Sequence, residues 1–163
     1  MYHHSDSWTF YKGHIHIIDT SVTALIACLA DIEAIRTLTH SYALAISKGW
    51  VGKSISAASI AAVFTDDATW VDAARNVSLN DAAAIGAALA DTVAGLDLAM
   101  HSFSNPVIAI DGDRASGNWL LWVAVGAGGT VSQVFQAEDL AYQRGPDGWR
   151  IASIALHAGA MMT

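Results

Sequence analysis

Apolar residues recur every three or four positions between Val22 and Ser47, which is the period of an α-helix with one buried face. The same pattern predicts two further helices, over residues 54–64 and 78–94. Asn80 is the expected N-terminal cap of the last helix, because its side chain can accept from free backbone N–H groups. The first half of the chain is therefore predicted to be mainly helical.

The second half is typical of long strands separated by glycine-containing turns. Asp111-Gly112-Asp113 is suited to a tight hairpin, since Asp and Gly tolerate the left-handed backbone that such a turn needs. Further turns are expected at 126–129 and 145–148. The strands are predicted over 68–73, 99–110, 114–126, 130–144 and 148–158. No internal repeat or linker interrupts them, so we expect one domain.

The composition adds an excess of apolar residues to this picture. Of 163 residues, 53% are hydrophobic and only 14% are charged, against a usual charged share of about a quarter. We expect a large apolar cavity or a subunit interface to absorb the excess, and therefore a homo-oligomer, either a dimer or a trimer. A net charge of −7 argues against a nucleic-acid partner, because phosphate backbones are bound by clustered cations.

Cysteine content and hydropathy predict a cytoplasmic protein. Cys28 is the only cysteine, so no intrachain disulfide can form. The apolar stretch 15–30 is interrupted by polar residues and follows no basic segment, which argues against both a signal peptide and a membrane span. The preceding arm, residues 1–18, holds four histidines, but no pattern of Cys or carboxylates completes a metal site. Packing of its aromatic residues on a neighbour is the favoured alternative.

Four segments carry a resemblance to a known family. HSFSNPVIAIDGDRA begins at His101, AEDLAYQRGPDGWRIASIAL begins at Ala137, FTDDA begins at Phe64, and DIEAIRTLTHSYALAISKGW begins at Asp31. Together they resemble the SnoaL-like group of the nuclear transport factor 2-like superfamily. The resemblance implies a cone-shaped α+β fold, with three N-terminal helices packed on a curved, mostly antiparallel sheet. Residues 19–163 would form this single domain, after the arm.

The resemblance also identifies His101 as a candidate general base. In the dehydratase and dehydrochlorinase branches, a histidine at this place removes the proton, and an imidazole is suited to that role because its pKa lies near neutrality. A hydrogen-bonded core histidine is the alternative. The aspartate that orients the histidine in the dehydratases is missing, since its place falls on Ser47, or on Ile46 with a one-residue shift. Asp72 is the expected substitute, with a solvated carboxylate at the end of a strand as the alternative.

Other polar and aromatic residues are candidates for the cone interior. Tyr42 would donate a hydrogen bond to an acceptor oxygen or leaving group, with a core tyrosine as the alternative. Glu138 and Asp139 are adjacent on a strand, so one must point inward and the other outward. The expected substrate-binding residues share strand faces with these groups or match family pocket positions, and they are Phe103, Asn105, Trp70, Asn118, Trp122 and Gln133.

These features predict a cofactor-independent lyase that acts on a small, apolar, aromatic substrate. The reaction would be an elimination, either a dehydration or a loss of formaldehyde as in a deformylase. No metal-ligand set, nucleophile elbow or dinucleotide fingerprint is visible, so no metal or cofactor is expected. The alternatives are an isomerase or cyclase that uses the same pocket, and a ligand-binding module without catalysis.

Overall fold

Three helices and seven strands form the part of the chain that the computed structural model describes, residues 21–49, 53–157 and 159–162. The predicted arm lies outside these residues. The helices are α1 (Val22–Ala45), α2 (Ala57–Ala61) and α3 (Ala82–Ala94). The strands are β1 (Phe64–Asp72), β2 (Val77–Asn80), β3 (Leu98–Asp111), β4 (Arg114–Ala127), β5 (Thr130–Gly145), β6 (Gly148–Leu156) and β7 (Ala160–Met162).

The start of α3 corrects one prediction. The helix was expected from Ser78 with Asn80 as its cap, but residues 77–80 form β2, which pairs antiparallel with β1. Asp81 is the cap instead, and its carboxylate accepts from the Ala84 N–H at 2.7 Å. Pairing with β1 therefore outweighs the local helical pattern at these four residues.

The sheet is mostly antiparallel, as predicted. Its strand order is β2-β1-β6-β5-β4-β3, and only the β1–β6 pair is parallel among the described strands. The short strand β7 pairs with β5 beyond the end of β6. All three helices pack on the sheet or on each other, which gives the expected α+β architecture.

A buried polar network joins α1 to the inner face of the sheet. The Tyr142 hydroxyl accepts from the Trp119 indole N–H at 2.9 Å and lies 2.8 Å from the Thr39 hydroxyl oxygen. Because the Thr39 hydroxyl donates to the Ile35 carbonyl at 3.0 Å, the Tyr142 hydroxyl donates to Thr39. Gly117 leaves room for this contact, since a Cβ there would lie 2.7 Å from the Trp119 nitrogen.

An ion pair joins the N-terminal half of α1 to the C-terminal end of β5. The Arg144 guanidinium donates to both carboxylate oxygens of Asp31, at 2.7 and 2.6 Å. The Trp149 indole N–H donates to the same carboxylate at 3.1 Å, and Arg144 lies 4.4 Å above the Trp149 ring. This two-point contact fixes the orientation of the helix across the sheet.

Candidate functional site

A cavity of about 500 Å³ lies between the helices and the concave face of the sheet. Its wall is mainly aliphatic, with contributions from α1, α3 and all seven of the described strands. Five side chains with acidic, basic or phenolic groups also line this wall. They come from α1, β1, the turn after β1, β3 and β5, and they are Tyr42, Asp72, Arg75, His101 and Glu138. The three predicted catalytic residues therefore line one space, together with a carboxyl group that was not among them.

His101 reaches the cavity from β3, close to where α1 ends. Directly after α1, Lys48 forms an antiparallel bridge with Ala99, and its ammonium group donates to the last carbonyls of the α3 segment, at Ala94 and Leu96. The bridge brings Ser47 beside His101, whose backbone N–H donates to the Ser47 hydroxyl oxygen at 3.0 Å. The partly buried imidazole is thereby held at the junction of α1, α3 and β3.

Ser47 also determines which imidazole nitrogen is basic. The Ser47 oxygen lies 3.4 Å from His101 Nδ1, a long contact, while the Ser47 hydroxyl donates to the Ala43 carbonyl at 2.7 Å. Since the serine proton is committed to that carbonyl, the contact is a hydrogen bond only when Nδ1 carries the ring proton, and we assign the ring to that tautomer. The lone pair is then left on Nε2.

The surroundings of His101 oppose its protonation. Burial of the imidazole, together with the nearby positive charge of Lys53, lowers the pKa of His101 to about 4. No carboxylate contacts the ring among the described residues, and the side chain beside Nδ1 is that of Ser47. His101 is therefore neutral near pH 7, but it is a weaker base than an imidazole paired with a carboxylate.

Tyr42 is packed into the cavity wall by aromatic rings. Its ring lies 5.4 Å from that of Phe64 and 5.9 Å from that of Phe103, measured between centroids. Burial raises the pKa of Tyr42 well above its usual value, and the nearby Glu138 adds to this increase. The Trp70 indole partly offsets it. Tyr42 is consequently a neutral hydrogen-bond donor at any physiological pH.

Asp72 is buried at the end of β1, but its contacts are not with His101. Its carboxylate accepts from the Arg75 backbone N–H at 3.1 Å and lies 3.4 Å from the Arg75 guanidinium. Across the sheet, Leu156 on β6 pairs in register with both Asp72 and Glu138. Asp72 therefore lies two strands from Glu138 in the same row of the sheet, and its described partner is Arg75 rather than the imidazole that it was predicted to support.

Glu138 is the ionisable group that the sequence did not single out. It is only 3% exposed, and burial raises its pKa to about 8, with a further contribution from the charge of Asp72. Gln136 donates to Oε1 at 3.4 Å, whereas Oε2 has no hydrogen bond among the described residues. Strand alternation requires that one of Glu138 and Asp139 faces inward. Asp139 is the outward residue, and its Oδ2 lies 2.7 Å from Nε2 of His157.

The comparison with models of protein families agrees with the observed fold. The sequence model described as the SnoaL-like domain matches residues 27–155. The chain belongs to the SnoaL-like domain family. No curated protein matches its sequence.

Solved structures confirm the nuclear transport factor 2-like fold of this SnoaL-like domain. A putative scytalone dehydratase from Novosphingobium aromaticivorans is 13% identical, with a TM-score of 0.74, and the match covers 85% of this chain and 90% of that one. A nuclear transport factor 2-like protein with a cystatin-like fold from the same organism is 26% identical, with a TM-score of 0.69 and coverage of 86% and 92%. A hexachlorocyclohexane dehydrochlorinase, LinA type 2, is 15% identical, with a TM-score of 0.69 and coverage of 85% and 93%.

The predicted substrate-binding residues of the SnoaL-like domain fall into two groups. Trp70 lines the cavity, and Phe103 packs between Tyr42 and Trp119. The other four side chains are exposed and do not belong to the cavity wall, namely Asn105, Asn118, Trp122 and Gln133.

Strand geometry explains why these four residues lie outside. On β4 the inner face carries Trp119 and Leu121, so Asn118 and Trp122 point outward, where Trp122 donates to Gln133 and Asn118 donates to Asp139. Asn105 was expected to share the face of His101. A bulge between Ser104 and Val107 interrupts the alternation there, and Asn105 has a φ of 51°.

Two broader features of the described residues concern metals and membranes. No three His, Cys, Asp or Glu side chains gather at a distance suitable for a metal ion within residues 21–49, 53–157 and 159–162. None of the helices formed by these residues is long and apolar enough to cross a membrane.

Proposed function

We propose that this SnoaL-like domain is a cofactor-independent lyase that acts on a small, apolar, aromatic molecule bound in the cavity. The observation that supports this most is the position of His101, a neutral imidazole on the wall of an otherwise mainly aliphatic space of about 500 Å³. That volume lies within the range of small-molecule sites in proteins. Dehydration is the reference reaction, and loss of formaldehyde is its variant.

The proposed elimination uses a base on β3, His101, and a hydrogen-bond donor on α1, Tyr42. His101 removes a proton from carbon through Nε2, because Nδ1 already carries a proton toward Ser47. The electrons of the broken C–H bond form the new double bond, and the leaving group departs with its own bonding pair. Tyr42 donates a hydrogen bond to the leaving oxygen or to an acceptor carbonyl, since its phenol stays neutral.

Substitution of the imidazole tests this proposal. His101→Gln removes the base but keeps a polar side chain, so turnover of a small aromatic β-hydroxy ketone or diol should fall by at least about a hundredfold. His157→Gln is the matched control, because His157 is exposed and binds Asp139 outside the cavity. The rate of each variant is followed by the absorbance of the new conjugated double bond. Near-normal turnover by His101→Gln would contradict the assignment.

A non-catalytic ligand-binding module is the second candidate, and one observation favours it. The imidazole lacks a carboxylate partner among the described residues, and its pKa near 4 makes it a weak base. Binding without turnover across a panel of aromatic diols and ketones would support this role. An isomerase or cyclase would instead convert the substrate without losing a fragment, which product analysis by mass spectrometry distinguishes.

A further inference from the structure

The cavity wall contains a buried polar atom that lacks a hydrogen-bond partner among the described residues. It is Oε2 of Glu138, a residue that lines the cavity. An unpaired buried polar group costs about 1–3 kcal/mol, so such groups are rare without a ligand or a bound water. This atom indicates that the wall is built to meet a polar atom of a bound molecule. Trp70, whose indole lowers the pKa of Tyr42 through a hydrogen bond, lies on the same wall.

The two residues meet around Tyr42. Tyr42 lies close enough to the Trp70 indole and to Glu138 for each of them to shift its pKa. In the sheet, Trp70 and Glu138 are both on the inner face, and β6 lies between their strands. The polar groups therefore cluster on one side of the cavity, while the wall is otherwise mainly aliphatic.

Charge determines what kind of polar atom this cluster can accept. Asp72 lies two strands from Glu138, about 10 Å between Cα atoms at the usual strand spacing, and its negative charge opposes ionisation of Glu138. Arg75 also reaches the wall, but its guanidinium is paired with Asp72. An anionic ligand would therefore meet buried acidic groups, whereas an uncharged oxygen would meet donors.

We propose that Glu138, in its protonated form, donates a hydrogen bond to a neutral carbonyl oxygen of the molecule in the cavity. The last torsion of a glutamic acid side chain is soft, so the carboxyl group can turn its O–H toward the cavity at little cost. This inference rests on the proposed function for the location of the ligand. It adds that the site selects neutral ketones or enones over carboxylates.

Burial and the charge of Asp72 favour the protonated form of Glu138. Burial is the main cause of its raised pKa of about 8, and Gln136 on the same strand only partly opposes it. The titratable and charged groups near Glu138 or on the same cavity wall are Tyr42 on α1, Asp72 and Arg75 at the end of β1, His101 on β3 with Lys53 near it, and Tyr142 on β5. Near pH 7 the carboxyl group is thus mostly a donor, and it becomes an acceptor above about pH 8.

Binding of three matched compounds tests the inference. The probes are 1-tetralone, its hydrocarbon tetralin and the carboxylate 1-naphthoate, titrated against tryptophan fluorescence and by calorimetry. At pH 6.5 we expect the ketone to bind roughly fivefold or more tightly than tetralin, as one net hydrogen bond provides, and naphthoate to bind least. The preference for the ketone should disappear above about pH 9.

Two substitutions at the same position separate donation from charge. Glu138→Gln keeps an N–H donor but does not titrate, so it should keep the ketone preference at every pH. Glu138→Leu should lose it at every pH. If the leucine variant does not fold, the test is the pH dependence of the ketone preference. This preference should be lost at high pH in the unchanged protein and kept in Glu138→Gln. An infrared carboxylic-acid band that is absent in Glu138→Gln reports the protonation state directly.

The outcomes distinguish this inference from the proposed function. Equal binding of tetralone and tetralin, or a preference that Glu138→Leu retains, would overturn the donor role while leaving the cavity as a ligand site. Failure of either neutral compound to bind would overturn the inference as well, because the cavity would not accept apolar neutral molecules. The lyase proposal is decided separately, by turnover in His101→Gln.

Discussion

At the scale of single residues, the contact between Ser47 and His101 sets the chemistry of the site. A serine can orient the imidazole and fix its tautomer, as an aspartate would, but it adds no negative charge to stabilise the imidazolium. The consequence is a sheltered base that is almost fully neutral at pH 7 and of modest strength. Any reaction that uses it must involve a fairly acidic C–H bond, such as one next to a carbonyl.

Restoring a carboxylate at this position gives a prediction. In Ser47→Asp, a negative charge would lie next to Nδ1, so the pKa of His101 should rise from about 4 by at least about one unit. Ser47→Ala, which removes the hydroxyl without adding charge, is the control and should leave the pKa low. NMR titration of the imidazole measures both. An unchanged pKa in Ser47→Asp would show that the Ser47 side chain is not beside the ring in solution.

The sequence placed His101 and Tyr42 among the candidates for the cavity interior, and both side chains line the cavity. Their catalytic roles stay predictions. The sequence could not place Asn105, since the bulge that turns this residue outward depends on its pairing with β4. Glu138 was also undecided, because alternation shows that one of two adjacent residues is buried but not which one. Its register with β6 settles the choice.

At the scale of helices and strands, the Thr39–Tyr142–Trp119 network determines how α1 lies on the sheet. Tyr142→Phe should lower the free energy of unfolding by about 1–3 kcal/mol, because the buried Trp119 N–H and Thr39 oxygen lose their partner. Ser41→Ala is the control, since Ser41 is exposed and donates only to a carbonyl of its own helix. Urea denaturation measures both variants. Equal effects would mean that the network does not stabilise the packing of α1.

Helix and strand positions were largely predictable from periodicity alone. The predicted run over 22–47 and the four C-terminal strands agree with α1, β3, β4, β5 and β6 within about two residues at each end. Two short strands were missed, β2 and β7, which have four and three residues. Their pairing partners lie on β1 and β5, and a three- or four-residue segment carries too little local pattern to indicate such contacts.

At the scale of the whole molecule, Glu138 couples folding to pH. Its pKa is about 8 in the folded protein against 4.5 for the free side chain. Its contribution to stability is thus complete below about pH 4.5 and is lost as the pH rises through about 8. His101 acts in the opposite sense, because its pKa is lowered and its contribution is lost as the pH falls from about 6.5 toward 4.

Glu138→Gln removes the contribution of Glu138 to the pH dependence of stability, because glutamine does not titrate. Between about pH 5 and 8 the stability of the unchanged protein should fall relative to that of the variant, by about 1 kcal/mol per pH unit. Urea denaturation of both proteins at several pH values measures this difference. Parallel pH profiles would contradict the raised pKa of Glu138.

The homo-oligomer that the composition predicts stays a prediction, although several large apolar side chains are exposed on the described surface. Leu120, Trp122 and Phe135 are exposed on the sheet, and Leu25 and Leu29 are exposed on α1. The cavity therefore accounts for only part of the apolar excess in the composition. The cytoplasmic location likewise stays a prediction.

The central claim is that His101 is a sheltered, neutral imidazole with its proton on Nδ1. The most direct test is an ¹⁵N NMR titration of the unchanged protein from pH 8 to 5, with the His101 signals assigned from their absence in His101→Gln. We predict that the ring stays neutral throughout this range and shows the Nδ1–H tautomer. A midpoint near 6.5, the value of an exposed histidine, or the Nε2–H tautomer would contradict the account.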